Sequence, residues 1–415
     1  MRILMKGRFS ILLILILSGC VNAGRVPLVP LAERHQPSGR WARFSYSNLS
    51  FKDYIQFSRE MIAASRTDLN DNNRDAVIDG NSPFELDPPS SCPPGKSKRF
   101  ARGILMTHGL TDSPFSTRAL GDFFQAHCFK VKSILLPGHG TRPGDLLNIS
   151  WRDWAAAEAY GTESVAVDAD EVYLLGFSTG AALSVYQTLQ DPRIKGVYLF
   201  SPAMRITSMA ALADIHKLYS WAFPRSRWID LMNDEDPFKY ESFPYNAAFQ
   251  IFLLTREVDA LRKERPFTVP LFIAASEDDS TVLFSGTREF FGAASNPKNR
   301  MIVYTTHAAG ISEKVTRVNS AFPDQHILSS AHTALVLPPG SAHYGEHGDY
   351  AYCNHYFPKE IGKYEQCKMK KENYLGEISD ENLKKGIIRR LMYNPNFNRL
   401  EESLARFADS LEASR

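Results

Sequence analysis

Val172-Tyr173-Leu174-Leu175-Gly176-Phe177-Ser178-Thr179-Gly180, continuing as Ala181-Ala182-Leu183-Ser184-Val185-Tyr186, is the stretch whose reading decides the fold. The apolar run predicts a buried strand, and the residues after Gly180 make a good helix start. Between them a serine is flanked by glycines. A strand that turns this sharply into a helix leaves the serine in a strained conformation with its Oγ exposed above the sheet. Small neighbours are required there because the two backbones pass close together. The five residues Gly176 to Gly180 alone are weak evidence; the strand-turn-helix context carries the inference.

Working outward, strands and helices alternate. Gly103 to Thr107, Val131 to Leu136, Gly196 to Phe200, Leu271 to Ala275 and Met301 to Tyr304 read as short buried strands. Apolar spacing predicts helices over Phe51 to Arg66, 116–127, Trp151 to Ser164 and 398–413, the last with Leu400, Leu404, Phe407 and Leu411 on one face. Such alternation predicts an α/β fold with a mostly parallel sheet covered on both faces. Sites in such sheets lie at the carboxyl ends of the strands. Residues 67–97, rich in Asp, Asn, Pro and Ser, read as loop. Residues 203–266 interrupt the alternation with a helical, strongly aromatic insertion that includes Tyr219, Trp221, Phe223, Trp228 and Tyr240. It reads as a lid over the site, with Met204, Met209 and Met232 as candidate pocket residues. Residues 340–375 read as a second, irregular insertion.

A serine hydroxyl is a poor nucleophile unless a histidine takes its proton, a carboxylate orients that histidine and N–H groups hold the oxyanion. On this type of sheet the chain order is Ser, then Asp or Glu, then His. Asp278 and Asp279 both follow the strand ending at Ala275. His307 directly follows the strand that starts at Met301, and His332 lies further on in Ser329-Ser330-Ala331-His332. Simple topology favours His307. The oxyanion donors expected are the N–H of Thr179, which follows the nucleophile, and that of Leu110 in Thr107-His108-Gly109-Leu110-Thr111-Asp112. His108 reads as a loop-shaping residue. His343 and His347 have helical metal spacing but no helix around them, so no metal is expected.

The N-terminus reads as an export signal. Arg2, Lys6 and Arg8 precede an apolar run, Ile11 to Leu17, too short to span a bilayer. Leu17-Ser18-Gly19-Cys20 resembles a bacterial lipobox, which implies a signal peptide over 1–19 and lipidation at Cys20. That resemblance, with Val21 in place of an aspartate, implies a lipid-anchored protein of the bacterial envelope, at the outer membrane. Residues 20–50 read as a tether and 51–415 as the folded domain. Beyond residue 19, Lys and Arg fall from 48 to 45 against 46 Asp and Glu, giving a net charge of −1. With no basic stripe, nucleic acid is not an expected partner. Four of the five cysteines lie beyond Cys20. Of three pairings, Cys92–Cys128 and Cys353–Cys367 are expected, because each closes a local loop in an oxidising compartment.

These parts resemble the α/β-hydrolase superfamily, and within it the bacterial carboxylesterases and monoacylglycerol-lipase-like (serine-aminopeptidase-like) hydrolases. The matching segments are His108 to Pro114, Leu136-Pro137-Gly138-His139-Gly140-Thr141, the Ser178 turn, Asp279-x-x-Val282 and Ser330-x-His332-x-x-Leu335. The resemblance implies Ser178, His332 and Asp279 as a triad, with His139 shaping a loop. It implies hydrolysis of a small-molecule ester or lipid through an acyl-enzyme, with no metal or organic cofactor. The stretch 307–331 is longer than a minimal member has, and it keeps His307 in play. The same machinery serves thioesters, lysophospholipids or peptide amides, and a non-catalytic binding protein of the envelope is the reading from a different class.

Overall fold

The computed structural model describes residues 29–41, 45–96, 99–206, 217, 219–307, 310–311, 313–370 and 373–412. The signal segment, Cys20 and Met209 lie outside these residues.

The strands, in chain order, are β1 (Phe84–Leu86), β2 (Phe100–Thr107), β3 (Phe129–Ile134), β4 (Ala169–Phe177), β5 (Ile194–Phe200), β6 (Trp228–Asp230), β7 (Phe243–Pro244), β8 (Leu271–Ser276), β9 (Arg300–Thr305), β10 (Gly310–Ile311), β11 (Val315–Asn319), β12 (Tyr374–Gly376) and β13 (Ile388–Arg390). Nine of them form one sheet in the order β1-β3-β2-β4-β5-β8-β9-β11-β10. Pairing is antiparallel only at the two edges, β1 with β3 and β10 with β11. β6 pairs with β7 and β12 with β13 in two small ribbons. The doubly covered α/β-hydrolase fold expected from the sequence is the fold found.

The helices are α1 (Phe51–Ser65), α2 (Arg74–Asn81), α3 (Arg118–Ala126), α4 (Trp151–Asp168), α5 (Thr179–Gln190), α6 (Tyr245–Glu264), α7 (Phe284–Ala293), α8 (Ile361–Lys368), α9 (Asp380–Leu383) and α10 (Phe397–Glu412). Helix α4 starts at a reciprocal cap: Ser150 Oγ accepts from Arg152 N–H and Asp153 Oδ2 accepts from Ser150 N–H. On one face of the sheet, α4, α5 and α6 bury Trp154, Leu183, Val185, Ile251 and Leu254. On the other, α10 lays Leu400, Leu404 and Phe407 on Tyr198, Phe272 and Ile302, beside Phe123 and Phe124 of α3. The apolar stripe of α10 is the one its sequence spacing predicts.

Three expectations change. Residues 67–97 contain α2 and β1. The insertion at 203–266 is helical chiefly over α6, which joins the helix layer; before it the described residues form turns and the β6–β7 ribbon. The segment 29–50 is not a free tether. Val29 and His35 are buried, Ser38 donates to Asp145, and the His35 ring meets Trp228 edge-on at 5.3 Å. Residues 20–28 lie outside the described chain. The disulfides Cys92–Cys128 and Cys353–Cys367 are both present, with Cα separations of 5.5 and 6.0 Å.

Candidate active site

Strand β4 delivers Ser178 to the middle of the sheet, and α5 begins on the next residue. Ser178 has φ 55° and ψ −111°, a strained backbone for a residue with a Cβ. The surroundings hold it there: its N–H donates to Phe200 O at 2.9 Å, and its carbonyl accepts from Ala181 and Ala203 N–H. The flanking glycines are steric necessities. A Cβ on Gly180 would strike the Thr107 and His108 carbonyls, and one on Gly176 the Ala181 backbone.

Ser178 Oγ lies 2.9 Å from His332 Nε2, and His332 Nδ1 lies 2.6 Å from Asp279 Oδ2. The Asp279 side chain is 2% exposed and that of His332 5%. Asp279 Oδ1 accepts from the N–H of Thr281 at 2.8 Å and of Val282 at 3.0 Å. Burial by itself raises the Asp279 carboxyl; the facing His332 and the two amides outweigh it and hold the group below its usual range. An ionised Asp279 only accepts, so the His332 proton sits on Nδ1 and Nε2 is free to accept from Ser178.

The competing candidates are placed elsewhere. Asp278 accepts from Ser320 Oγ at 2.8 Å and Thr306 Oγ1 at 3.3 Å, and it faces His307 rather than His332. His307 is exposed on the loop after β9. β9, the strand that His307 follows, is not the last parallel strand of the sheet. β11 adds to the sheet beyond it in parallel register, Val315 opposite Met301, and the loop that carries His332 leaves from β11.

The loop after β2 lies against the serine: a Cβ on Gly109 would sit 3.2 Å from Ser178 Cβ. Two buried histidines fix its shape. His108 Nδ1–H donates to Gly109 O at 2.8 Å while Nε2 accepts from Leu136 N–H at 3.0 Å. His139 Nε2 accepts from Thr111 N–H at 3.0 Å, and its Nδ1 faces Leu136 O and Pro137 O. Each ring ties the β2 loop to the β3 loop as a neutral crosslink. Burial pushes both below the usual histidine range, His139 to about 4. The amides of Thr111, Asp112 and Ser113 donate to His139 Nε2, Gly109 O and Asp112 Oδ1. Thr179 opens α5, where N–H groups have no acceptor within the helix.

Three contributors escaped the sequence reading. Glu377 follows β12, Arg390 ends β13, and their carboxylate and guanidinium meet at 3.0 Å. Glu377 Oε2 accepts from His332 N–H at 3.0 Å, and Arg390 donates to Thr281 Oγ1 at 2.6 Å. One buried ion pair thereby braces the loops that carry His332 and Asp279 together. No local pattern marks either residue, since Arg390 lies 109 positions from Thr281. The third is Glu158 of α4, fully buried and bonded by Thr107 and Ser184 hydroxyls; burial raises its carboxyl to about 7.

The insertion touches this region through Tyr240, whose N–H donates to Thr111 O at 2.7 Å. Met204 and Met232 are buried, Met204 within the main apolar core, whereas Tyr219, Trp221 and Phe223 face solvent. His343 pairs with Asp349 at 2.6 Å and Asp236 at 3.2 Å.

Residues 104–320 match the sequence profile of the Alpha/beta hydrolase family. A thermostable monoacylglycerol lipase of Bacillus sp. (strain H-257) is 28% identical over 184 residues, 43% of this chain and 71% of that protein. A solved structure from the metagenome-derived lipolytic enzymes LipS and LipT is 21% identical, with a TM-score of 0.44, covering 54% of this chain and 87% of that one. The monoacylglycerol lipase of Paleococcus ferrophilus gives 16%, a TM-score of 0.42, and 54% and 88% coverage.

Proposed function

The chain belongs to the alpha/beta hydrolase family, and from that premise we propose that it is a serine ester hydrolase, of the carboxylesterase or lipase-like kind. The observation that carries the reading is the unbroken relay from Ser178 Oγ through His332 to Asp279, at 2.9 and 2.6 Å. Ser178 Oγ attacks the ester carbonyl carbon as its proton passes to His332 Nε2. The tetrahedral oxyanion is held by the N–H groups of Leu110 and Thr179. His332 then returns the proton to the departing alkoxide, leaving an acyl-serine and a free alcohol. Water, deprotonated by the same imidazole, attacks the acyl carbon, and the carboxylic acid leaves as Ser178 regains its proton. Asp279 keeps the imidazole in the working tautomer and offsets the charge it gains. For the oxyanion role, the support is that the loop amides next to Leu110 are already engaged while Gly109 abuts the serine.

The relative from Bacillus supports an acylglycerol or similar small lipid ester as substrate. The N-terminal pattern supports export, cleavage after residue 19 and acylation of Cys20, which would keep the domain at a bacterial envelope membrane.

A fluorophosphonate probe tests the reading. Wild type and His307→Ala are expected to label, and Ser178→Ala and His332→Ala are not. Folded wild-type protein that fails to label would instead mark a binding protein built on a hydrolase fold, and loss of labelling in His307→Ala alone would move the base.

A further inference from the structure

The insertion ends in an outward-facing aromatic cluster that nothing in the hydrolytic relay uses. Tyr219 is 45% exposed, Trp221 79%, Phe223 65% and Ile229 41%. Successive turns gather them, with Ala222 and Phe223 N–H donating to Tyr219 O and Ser226 N–H to Phe223 O. The same run, Lys217 to Asp230, holds three basic residues, Lys217, Arg225 and Arg227, against one acidic residue, Asp230, although the chain beyond residue 19 is slightly acidic. Exposed apolar clusters of this kind mark interaction sites. Tryptophan and tyrosine beside arginine and lysine is the composition that partitions into the headgroup region of a bilayer. Anionic lipid adds about 1 kcal/mol of attraction for each basic residue near its surface.

The path of the N-terminal segment points to the same occupant. Val29 is fastened to the cluster, since Arg225 donates to its carbonyl. Further bonds hold the segment to the base of the insertion: Arg34 donates to Asn233 O, and His35 packs on Trp228 and meets Asp234 at 3.5 Å. Eight residues lie between Cys20 and Val29, nine steps of chain with a reach of at most about 30 Å fully extended. Val29 therefore lies beside the aromatic cluster.

We infer that the Tyr219–Ile229 surface is a docking site for an anionic phospholipid bilayer, with Trp221 and Phe223 inserted among the headgroups and Arg227 against lipid phosphates. The inference rests on the proposed anchoring at Cys20 for proximity only. The same insertion reaches Thr111 through Tyr240, so docking holds the Ser178 site at the surface where ester lipids reside.

The test uses the full chain mixed with phosphatidylethanolamine–phosphatidylglycerol vesicles doped with dibrominated acyl chains, which quench nearby tryptophans. Trp151, Trp154 and Trp228 are buried, leaving Trp221 as by far the most exposed indole. Quenching is expected for wild type and is expected to fall at least threefold in Trp221→Phe. A Phe223→Ser, Arg227→Ser variant is expected to weaken vesicle binding about tenfold while hydrolysing a soluble short-chain ester normally. Equal quenching in wild type and Trp221→Phe overturns the inference. So does a dimer in lipid-free buffer with blue-shifted Trp221 emission, which would assign the patch to a second copy. The mass of the purified chain reports acylation of Cys20 separately, and the soluble ester reports the Ser178 reading separately.

Discussion

Replacing Asp279 by asparagine changes one atom and inverts the logic of the relay. Thr281 and Val282 N–H both point at Oδ1, so the amide oxygen must stay on that side. The NH2 group then occupies the Oδ2 position, 2.6 Å from His332 Nδ1. Two donors cannot face each other there, and the imidazole shifts its proton to Nε2. In that tautomer Nε2 donates toward Ser178 and no longer accepts its proton. Restoring the working tautomer costs a charge-assisted hydrogen bond, about 1.5 to 3 kcal/mol, and leaves a buried donor unpaired, about another 1 to 3 kcal/mol. Together they amount to roughly 3 to 6 kcal/mol, a loss of about 10² to 10⁴ in kcat. Loss of imidazolium stabilisation places the expected value near the upper end, as for the same change in serine proteases, about 10⁴. The side chains are nearly isosteric, so the melting temperature should move little. Hydrolysis of a nitrophenyl ester by Asp279→Asn and Asp278→Asn, with thermal melts of both, makes the comparison. Folded Asp279→Asn protein within tenfold of wild type, or equal damage from Asp278→Asn, would refute the reasoning.

Other expectations follow from the same geometry. Gly180→Ala should fail to fold or melt far below wild type, because its Cβ meets two backbone carbonyls. Gly292→Ala, which meets nothing within 4 Å in α7, should gain about 0.5 to 1 kcal/mol; equal melts for the two would sink the steric account. Glu158 binds its proton more tightly in the folded state, with its carboxyl raised from 4.5 to about 7. Stability should therefore fall as pH rises from about 4.5 to 7, by up to about 3 kcal/mol, and Glu158→Gln should flatten that slope in urea titrations. Arg390→Lys cannot bridge Glu377 and Thr281 as a planar fork does. It should lower kcat about tenfold, about 1.4 kcal/mol, with KM nearly unchanged, and a pure rise in KM would contradict a positioning role.

What was legible in the sequence was what local sterics and spacing encode. The Ser178 turn needs two glycines within touching distance of backbone, and an apolar run before it has no alternative but a strand. The loop histidines were legible as shaping residues because each acts within a short loop pair. The amphipathic stripe of α10 was visible at its own period. Helix α2 was missed because Arg74 to Asn81 is mostly polar, with only Val77 and Ile78 buried among its apolar residues. The insertion was misjudged because aromatic content reports neither helicity nor burial: Trp228 and Tyr240 face inward while Trp221 and Phe223 face out.

His332, the proposed base, follows β11 and not the strand that simple topology picks out. Met301 to Tyr304 is strongly apolar and reads as that strand, whereas Val315-Thr316-Arg317-Val318-Asn319 is short and half polar. Its polarity is a consequence of its place: only β10 lies outside it, and of its five residues Val318 alone is buried. A strand near the edge need not be apolar on both faces, so it gives a weak signal. Once β11 is in place, the loop leaving it reaches Asp279 and Ser178, whereas the loop leaving β9 ends at Asp278 and solvent. The longer route has a cost in order: the loop is tied to β12 by the Ile327–Leu375 bridge, and the histidine five residues further on needs support of its own. Glu377 and Arg390 meet that need from β12 and β13, with Gly376 paired to Arg390 across the ribbon. The β12–β13 ribbon, which begins at the end of the second insertion, is therefore part of the site's framework, and a deletion that removed it should unseat His332 even though it removes no member of the proposed relay.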